Sequence, residues 1–143
     1  MPDATPDERP DDRPGEPPAE SLGASPAALR LFTSKTPAVE EYHLAPEKLI
    51  SGNPLQQVWL DHTDASGQFF AGTWRSTPGK WHIRYTEEEY CELLEGHSVV
   101  TDSAGQATSL RPGDRFVIPR GFEGTWEVLA TTTKRFVIFE AKN

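Results

Sequence analysis

The chain has 143 residues, 36% of them hydrophobic, and a formal net charge of -8 at neutral pH. That suffices for one modest core and a tail, while the acidic balance, without a basic run, argues against binding nucleic acid. Cys91 is the only cysteine, which excludes an internal disulfide, and no apolar run approaches the roughly 18 residues of a membrane helix.

Residues 1–28 carry seven prolines, and seven carboxylates against Arg9 and Arg13 leave the segment near -5. Low hydrophobicity and self-repulsion cannot offset the entropy of ordering, so a disordered acidic tail is predicted. The start also lacks the charged and apolar regions of a secretory signal, which with the lone cysteine suggests a cytoplasmic location and no membrane partner. From Leu29 the composition changes. "SPAALRLF" (25–32) offers Ser25 as a cap and Pro26 at the first helical position, a short helical candidate. "APEKLI" (45–50) is a second, ended by the Ser51-Gly52-Asn53-Pro54 cluster.

Beyond Pro54 strand signals take over. "QQVWLDH", "QFFAGTWRS", "KWHIRY", "EYCELLE", "HSVVTDS", "ATSLR", "RFVIP", "GTWEVLA" and "KRFVIFEA" are rich in β-branched and aromatic residues and alternate with Gly, Pro and Asp punctuation. Many short strands with frequent turns predict an all-β antiparallel sandwich or barrel.

Three pieces then coincide in order: "PGKWHIRYTEEEYCELLEG" (78–96), "TDSAGQATSLRPGDRFVIPRGFEGTWEV" (101–128) and "KRFVIFE" (134–140). Together they resemble the small single-domain cupins related to ureidoglycine aminohydrolase, which include the cupin of an ethanolamine-utilisation protein. The resemblance spans about residues 55–142 within a domain read as 29–143, and implies an RmlC-like double-stranded β-helix jelly roll. Gly96, Gly113, Pro119 and Gly121 are the turn positions of that frame, with Gly96 expected to separate two strands.

The cupin motifs also imply a divalent metal held by three histidines and a glutamate. Anchored on Gly96, the motif glutamate is Glu89; anchored on Gly113, the second-motif histidine falls on Gly124. A spacer of three before Glu89 puts Ile83 and Tyr85 at the His-x-His positions, whereas a spacer of four puts His82 and Arg84 there. Alternation decides between them. Trp81, Ile83 and Tyr85 share a mostly apolar face, and Lys80, His82 and Arg84 a cationic one, so the first set is read as inward. By the same rule Glu89, Cys91 and Leu93 point inward, and Gly124, Trp126 and Val128 share a face.

The expected site is therefore an aromatic-lined barrel pocket that binds or acts on a small polar metabolite. Glu89 is its central carboxylate, suited to acid–base work, and Tyr85 is the hydrogen-bond partner of Glu89. Ile83, Cys91, Trp126 and Trp74 line it. The resemblance adds Lys134 as a cation able to pair with Glu89 or with a substrate carboxylate. Cys91 reads as a small buried hydrophobe, and His82 with Arg84 as a solvated face that is also a candidate anion site at the barrel mouth. No cofactor is expected, the alternative being a divalent metal such as manganese. A homodimer is expected, with residues 31–62 supplying edge-covering strands. Two other functional readings stay open: a metal-dependent enzyme resembling ureidoglycine aminohydrolase, and a non-catalytic dimeric module acting as a sensor or interaction protein.

Overall fold

The computed structural model describes residues 27–32 and 37–142. The predicted acidic tail lies outside the described residues except for its last two positions. The chain divides into two units, Met1–Leu31 and Phe32–Asn143. Of the first helical candidate, residues 27–32 are described and carry no helix; a segment this short cannot offset the cost of nucleation by propagation. The second candidate is reduced to a 3₁₀ turn, Pro46–Lys48, after which the chain extends as a strand.

In the second unit the described residues form strands β1 (Val39–His43), β2 (Leu49–Ser51), β3 (Leu55–Thr63), β4 (Phe69–Ser76), β5 (Gly79–Arg84), β6 (Glu88–Asp102), β7 (Ala107–Leu110), β8 (Arg115–Ile118) and β9 (Glu123–Phe139). All of their pairings are antiparallel. The fold is the all-β jelly roll that the sequence predicts. No helix among the described residues is long and apolar enough to cross a membrane.

Two long strands organise the curl. The C-terminal half of β9 pairs with β4 and with the first half of β6, while its N-terminal half pairs with β5 and the second half of β6. Both strands thus pass from one face of the barrel to the other, and β6 changes register between Leu93 and Ser98 to do so. Gly96 sits in that irregularity, with φ of 98°. A Cβ there would also run into the Thr131 carbonyl oxygen. Gly96 therefore bends one continuous strand and does not separate two, and the segments "GTWEVLA" and "KRFVIFEA" are likewise one strand. Local sequence punctuation marks the bend correctly but not whether hydrogen bonding continues through it.

The turn motif between β7 and β8 is tied to the middle of β6. Leu93 N–H donates to the Asp114 carbonyl, and Gly113 N–H donates to the Leu93 carbonyl, both at 2.9 Å. The Pro119-Arg120-Gly121 turn does the same for the end of β5. Gly121, with φ of 91°, donates its N–H to the Tyr85 carbonyl at 2.7 Å, and Tyr85 N–H donates to the Phe122 carbonyl at 2.9 Å. The motif that carries the family resemblance thus fixes the backbone of a predicted pocket residue.

Between the two faces lie Trp74, Trp81, Leu93, Val128, Trp126 and Phe136, all buried. Trp74 and Trp126 meet edge to face with centroids 5.4 Å apart, a favoured aromatic geometry.

Candidate functional site

The barrel encloses a cavity of about 610 Å³, within the range of small-molecule sites. Its walls come from β3, β4, β5, β6 and β9. Tyr85, Ile83, Glu89, Trp126, Trp74 and Lys134, all expected from the sequence, line it. Cys91 does not: it is fully buried and absent from the lining. Its inward alternation was read correctly, but the surrounding side chains cover the short thiol. Phe70, Trp81 and Phe136 add apolar wall, while Lys48, His82 and Arg84 reach the edge of the cavity.

At the centre is an ion pair. Lys134 Nζ lies 2.9 Å from Glu89 Oε2, and both side chains are only 5% exposed. Lys134 lies well inside β9, at a rung where Trp74 flanks it on one side and Leu93 on the other. Its ammonium lies 4.8 Å from the Trp74 ring centroid and 4.6 Å from that of Trp126. Those ring faces stabilise a desolvated cation. The partner of Glu89 is therefore Lys134, whereas no hydrogen bond from the Tyr85 hydroxyl to Glu89 forms.

The electrostatics follow from enclosure. Burial is the largest single influence on Lys134 and opposes its charge, but Glu89, together with Tyr85 and Cys91 beside it, holds the ammonium above the ordinary lysine value. Burial, with Glu89 nearby, pushes the Tyr85 phenol up and the Cys91 thiol up to about 12, although Lys134 pulls both the other way. At neutral pH the site holds one ammonium, a phenol and a thiol. All three shifts are upward, so the folded state keeps protons that the unfolded chain releases. Stability is fully present below the unfolded values, the lowest being 9.0 for the thiol, and is lost as pH rises through the folded ones. Urea titrations at stepped pH are expected to show no loss from this cluster up to about pH 9 and a steep loss above it. Cys91→Ala should remove about 3–4 kcal/mol of that loss; an unchanged alkaline profile would contradict a protonated thiol.

A second polar chain supports the aromatic wall. The Trp74 indole N–H donates to Gln56 Oε1 at 2.7 Å, and Gln56 Nε2 donates to Ser76 Oγ at 2.7 Å. The Trp126 N–H reaches Ser98 Oγ at 3.1 Å, and Ser98 meets the Thr132 hydroxyl at 2.7 Å. Gln56 was missed from the sequence. The one available signal was a glutamine alternating with Val58 and Leu60 on an otherwise apolar face of β3.

The residues present do not fit the divalent ion that the cupin motifs imply. Ile83 has no donor atom. A Cβ at Gly124 would collide with the Thr101 carbonyl oxygen, so that position cannot carry a ligand without backbone movement. Glu89 already faces an ammonium. Among the described residues, no three His, Cys, Asp or Glu side chains cluster as an ion would require.

The backbone is similar to several solved structures. A protein of unknown function from Pseudomonas syringae pv. tomato superposes with a TM-score of 0.65 at 20% identity, over 71% of this chain and 44% of that one. The EutQ protein of Clostridium difficile gives 0.56 at 14% identity, over 69% of this chain and 81% of that one. A putative ethanolamine utilization protein Q from Salmonella typhimurium gives 0.56 at 17%, over 76% and 100%. At these identities the likeness is one of fold, and this chain spans less than half the length of the Pseudomonas protein. No curated protein matches the sequence. The family pattern of the EutQ-like cupin domain matches residues 63–136, just over half of the chain. The chain therefore belongs to the EutQ-like cupin domain family.

Proposed function

We propose that this protein binds a small polar metabolite in the barrel cavity without a metal, using the Glu89–Lys134 pair as the polar centre of an aromatic pocket. The observation that carries this reading is the buried ion pair at 2.9 Å on the cavity wall. In a metal-dependent cupin the carboxylate would neutralise a dication; here an ammonium already neutralises it. A paired, neutral centre offers one donor group and one acceptor group side by side, which suits an amide, ureide or similar polar head. The resemblance to ureidoglycine aminohydrolase supports a nitrogenous ligand, whereas the manganese chemistry of such an enzyme has no matching donor set in these residues. Binding is favoured over acid–base catalysis because Glu89 would have to abandon Lys134 to take up a proton, leaving a buried ammonium unpaired.

The test is a metabolite-panel thermal-shift screen. At least one polar compound is expected to stabilise the wild-type protein, by about 2.7 kcal/mol at a hundredfold excess over its Kd. The double variant Glu89→Leu with Lys134→Met should keep its fold and lose that response. Near-stoichiometric manganese, iron, nickel or zinc in purified protein, absent from Glu89→Ala, would sink the metal-free reading.

A further inference from the structure

Three indoles face the site, and they are not equally satisfied. Trp74 and Trp126 donate to Gln56 and Ser98. Trp81 is only 5% exposed and lines the cavity, yet among the described residues its N–H has no acceptor. The Tyr85 hydroxyl, also on the lining, has no hydrogen-bond partner among the described residues either. Buried indole and phenol donors are normally paired, because an orphan donor costs its full desolvation. Trp81 and Tyr85 lie on the same face of the chain at and just beyond β5, so both present donors to the same space.

The mouth carries the opposite deficit. The charged residues on the lining are Lys48, Arg84 and Lys134 against Glu87 and Glu89, a positive excess in a chain of net charge -8. Glu89 neutralises Lys134 internally, which leaves Lys48 and Arg84 at the rim with Glu87 as the acid beside them. Lys48 immediately precedes Leu49, which pairs with Trp81, and His82 and Arg84 are alternate residues of β5. Among the described residues Lys48 has no acidic partner, and Arg84 meets only Glu123, at 3.4 Å in an exposed contact. Such a pair contributes little and yields readily to a better anion.

From these two deficits, and resting on the pocket reading above, we infer that the ligand is a planar anion: a small aromatic or heteroaromatic carboxylate. Its carboxylate lies at the mouth against Lys48, His82 and Arg84. Its ring lies against Trp81, Phe70 and Phe136, and an uncharged ring acceptor takes the Trp81 N–H or the Tyr85 O–H. The anion stays at the mouth because a carboxylate placed deep would lose its hydration against a centre whose ammonium Glu89 has already neutralised. A planar body is favoured because the walls are aromatic faces.

A matched probe series tests this by calorimetry or saturation-transfer NMR. Nicotinate, nicotinamide and 3-(aminomethyl)pyridine keep the ring acceptor and change the charge; benzoate keeps the charge and removes the ring acceptor. Nicotinate should bind roughly tenfold more tightly than nicotinamide, the amine least, and benzoate more weakly than nicotinate. The preference for acid over amide should shrink in high salt and vanish in Lys48→Ala with Arg84→Ala. Tyr85→Phe should weaken acid and amide alike. A neutral or cationic probe binding best, or a preference untouched by the rim double variant, overturns the inference while leaving the pocket as a binding site. If neither these probes nor any member of the metabolite panel binds the wild-type protein, both readings fall together.

Discussion

Glu89→Ala is expected to destabilise the protein by about 3–5 kcal/mol, and Lys134→Met alone by a similar amount, because each leaves an unpaired charge in the barrel. The double replacement Glu89→Leu with Lys134→Met is expected to lie within about 2 kcal/mol of wild type, since two apolar side chains of similar volume remove both desolvation costs at once. The two single losses therefore should not add, and a double-mutant cycle by urea denaturation reads the coupling directly. Arg75 and Glu95 form the control: they are 3.0 Å apart but 43% and 55% exposed, and their coupling should stay below about 1 kcal/mol.

The same variants carry a sign that no packing defect would reproduce. In the wild-type protein the raised Lys134 value makes stability fall with rising pH, above the unfolded lysine value of 10.5. Without Glu89, burial is the dominant influence on Lys134, since Tyr85 and Cys91 are uncharged near neutral pH, and it moves the pKa down. A base with a depressed folded pKa gains stability as pH rises toward its unfolded value. Glu89→Ala should thus become more stable between about pH 7 and pH 9, before thiol ionisation takes over. Additive single losses, or a flat profile in Glu89→Ala, would mean that the pair is not the charged centre of the pocket.

How far the site was legible depended on the length of the side chain. Strand alternation places Tyr85, Glu89 and Trp126 inward because a β-carbon direction is a local property. It also places Cys91 inward, but only three-dimensional packing decides that a short thiol is covered while longer neighbours reach the cavity. Lys134 lay beyond local reasoning for the opposite reason. Its Cα pairs with Trp74 and Leu93, and its flexible stem carries the ammonium along the barrel to Glu89, four residues before Leu93 on β6. Only the family resemblance had suggested that pair. The mistaken partner for Glu89, Tyr85, came from the same gap: shared facing does not fix which tips meet.

The fold was legible for a related reason. Turn glycines and prolines act through backbone geometry, which the sequence states outright. Whether a strand stops or bends at such a residue depends on the partner strand, and at Gly96 the partner is β9 around Thr131, about 35 residues later. Of Trp81, alternation says only that it faces inward. That its N–H goes unanswered emerges only when the acceptors around all three indoles are compared.

Restoring the missing histidine by Gly124→His is expected to damage the protein and not to create a metal site. Gly124 pairs with Ile83 on β5 and with Asp102 on β6. Any side chain there starts against the Thr101 carbonyl oxygen and the Asp102 Cα. That is backbone, which cannot turn aside as a flexible side chain would, so the cost should be at least about 3 kcal/mol, at the upper end of overpacking effects. Even a variant that moved its strands to admit the ring would add only one imidazole to one carboxylate: Ile83 supplies no donor, and burial keeps the Tyr85 phenol protonated and so a poor ligand. Lys134 would add its own repulsion, because an ammonium 2.9 Å from Glu89 competes with any dication for the same carboxylate. Denaturation together with nickel and manganese titration measures both parts. A Gly124→His protein of wild-type stability that took up one equivalent of either metal would show that the donor set, and not the ammonium and the close backbone, is what keeps metal out. The expected result, an unstable variant with no metal uptake, would make the glycine and the lysine joint determinants of a cupin barrel organised around an internal cation.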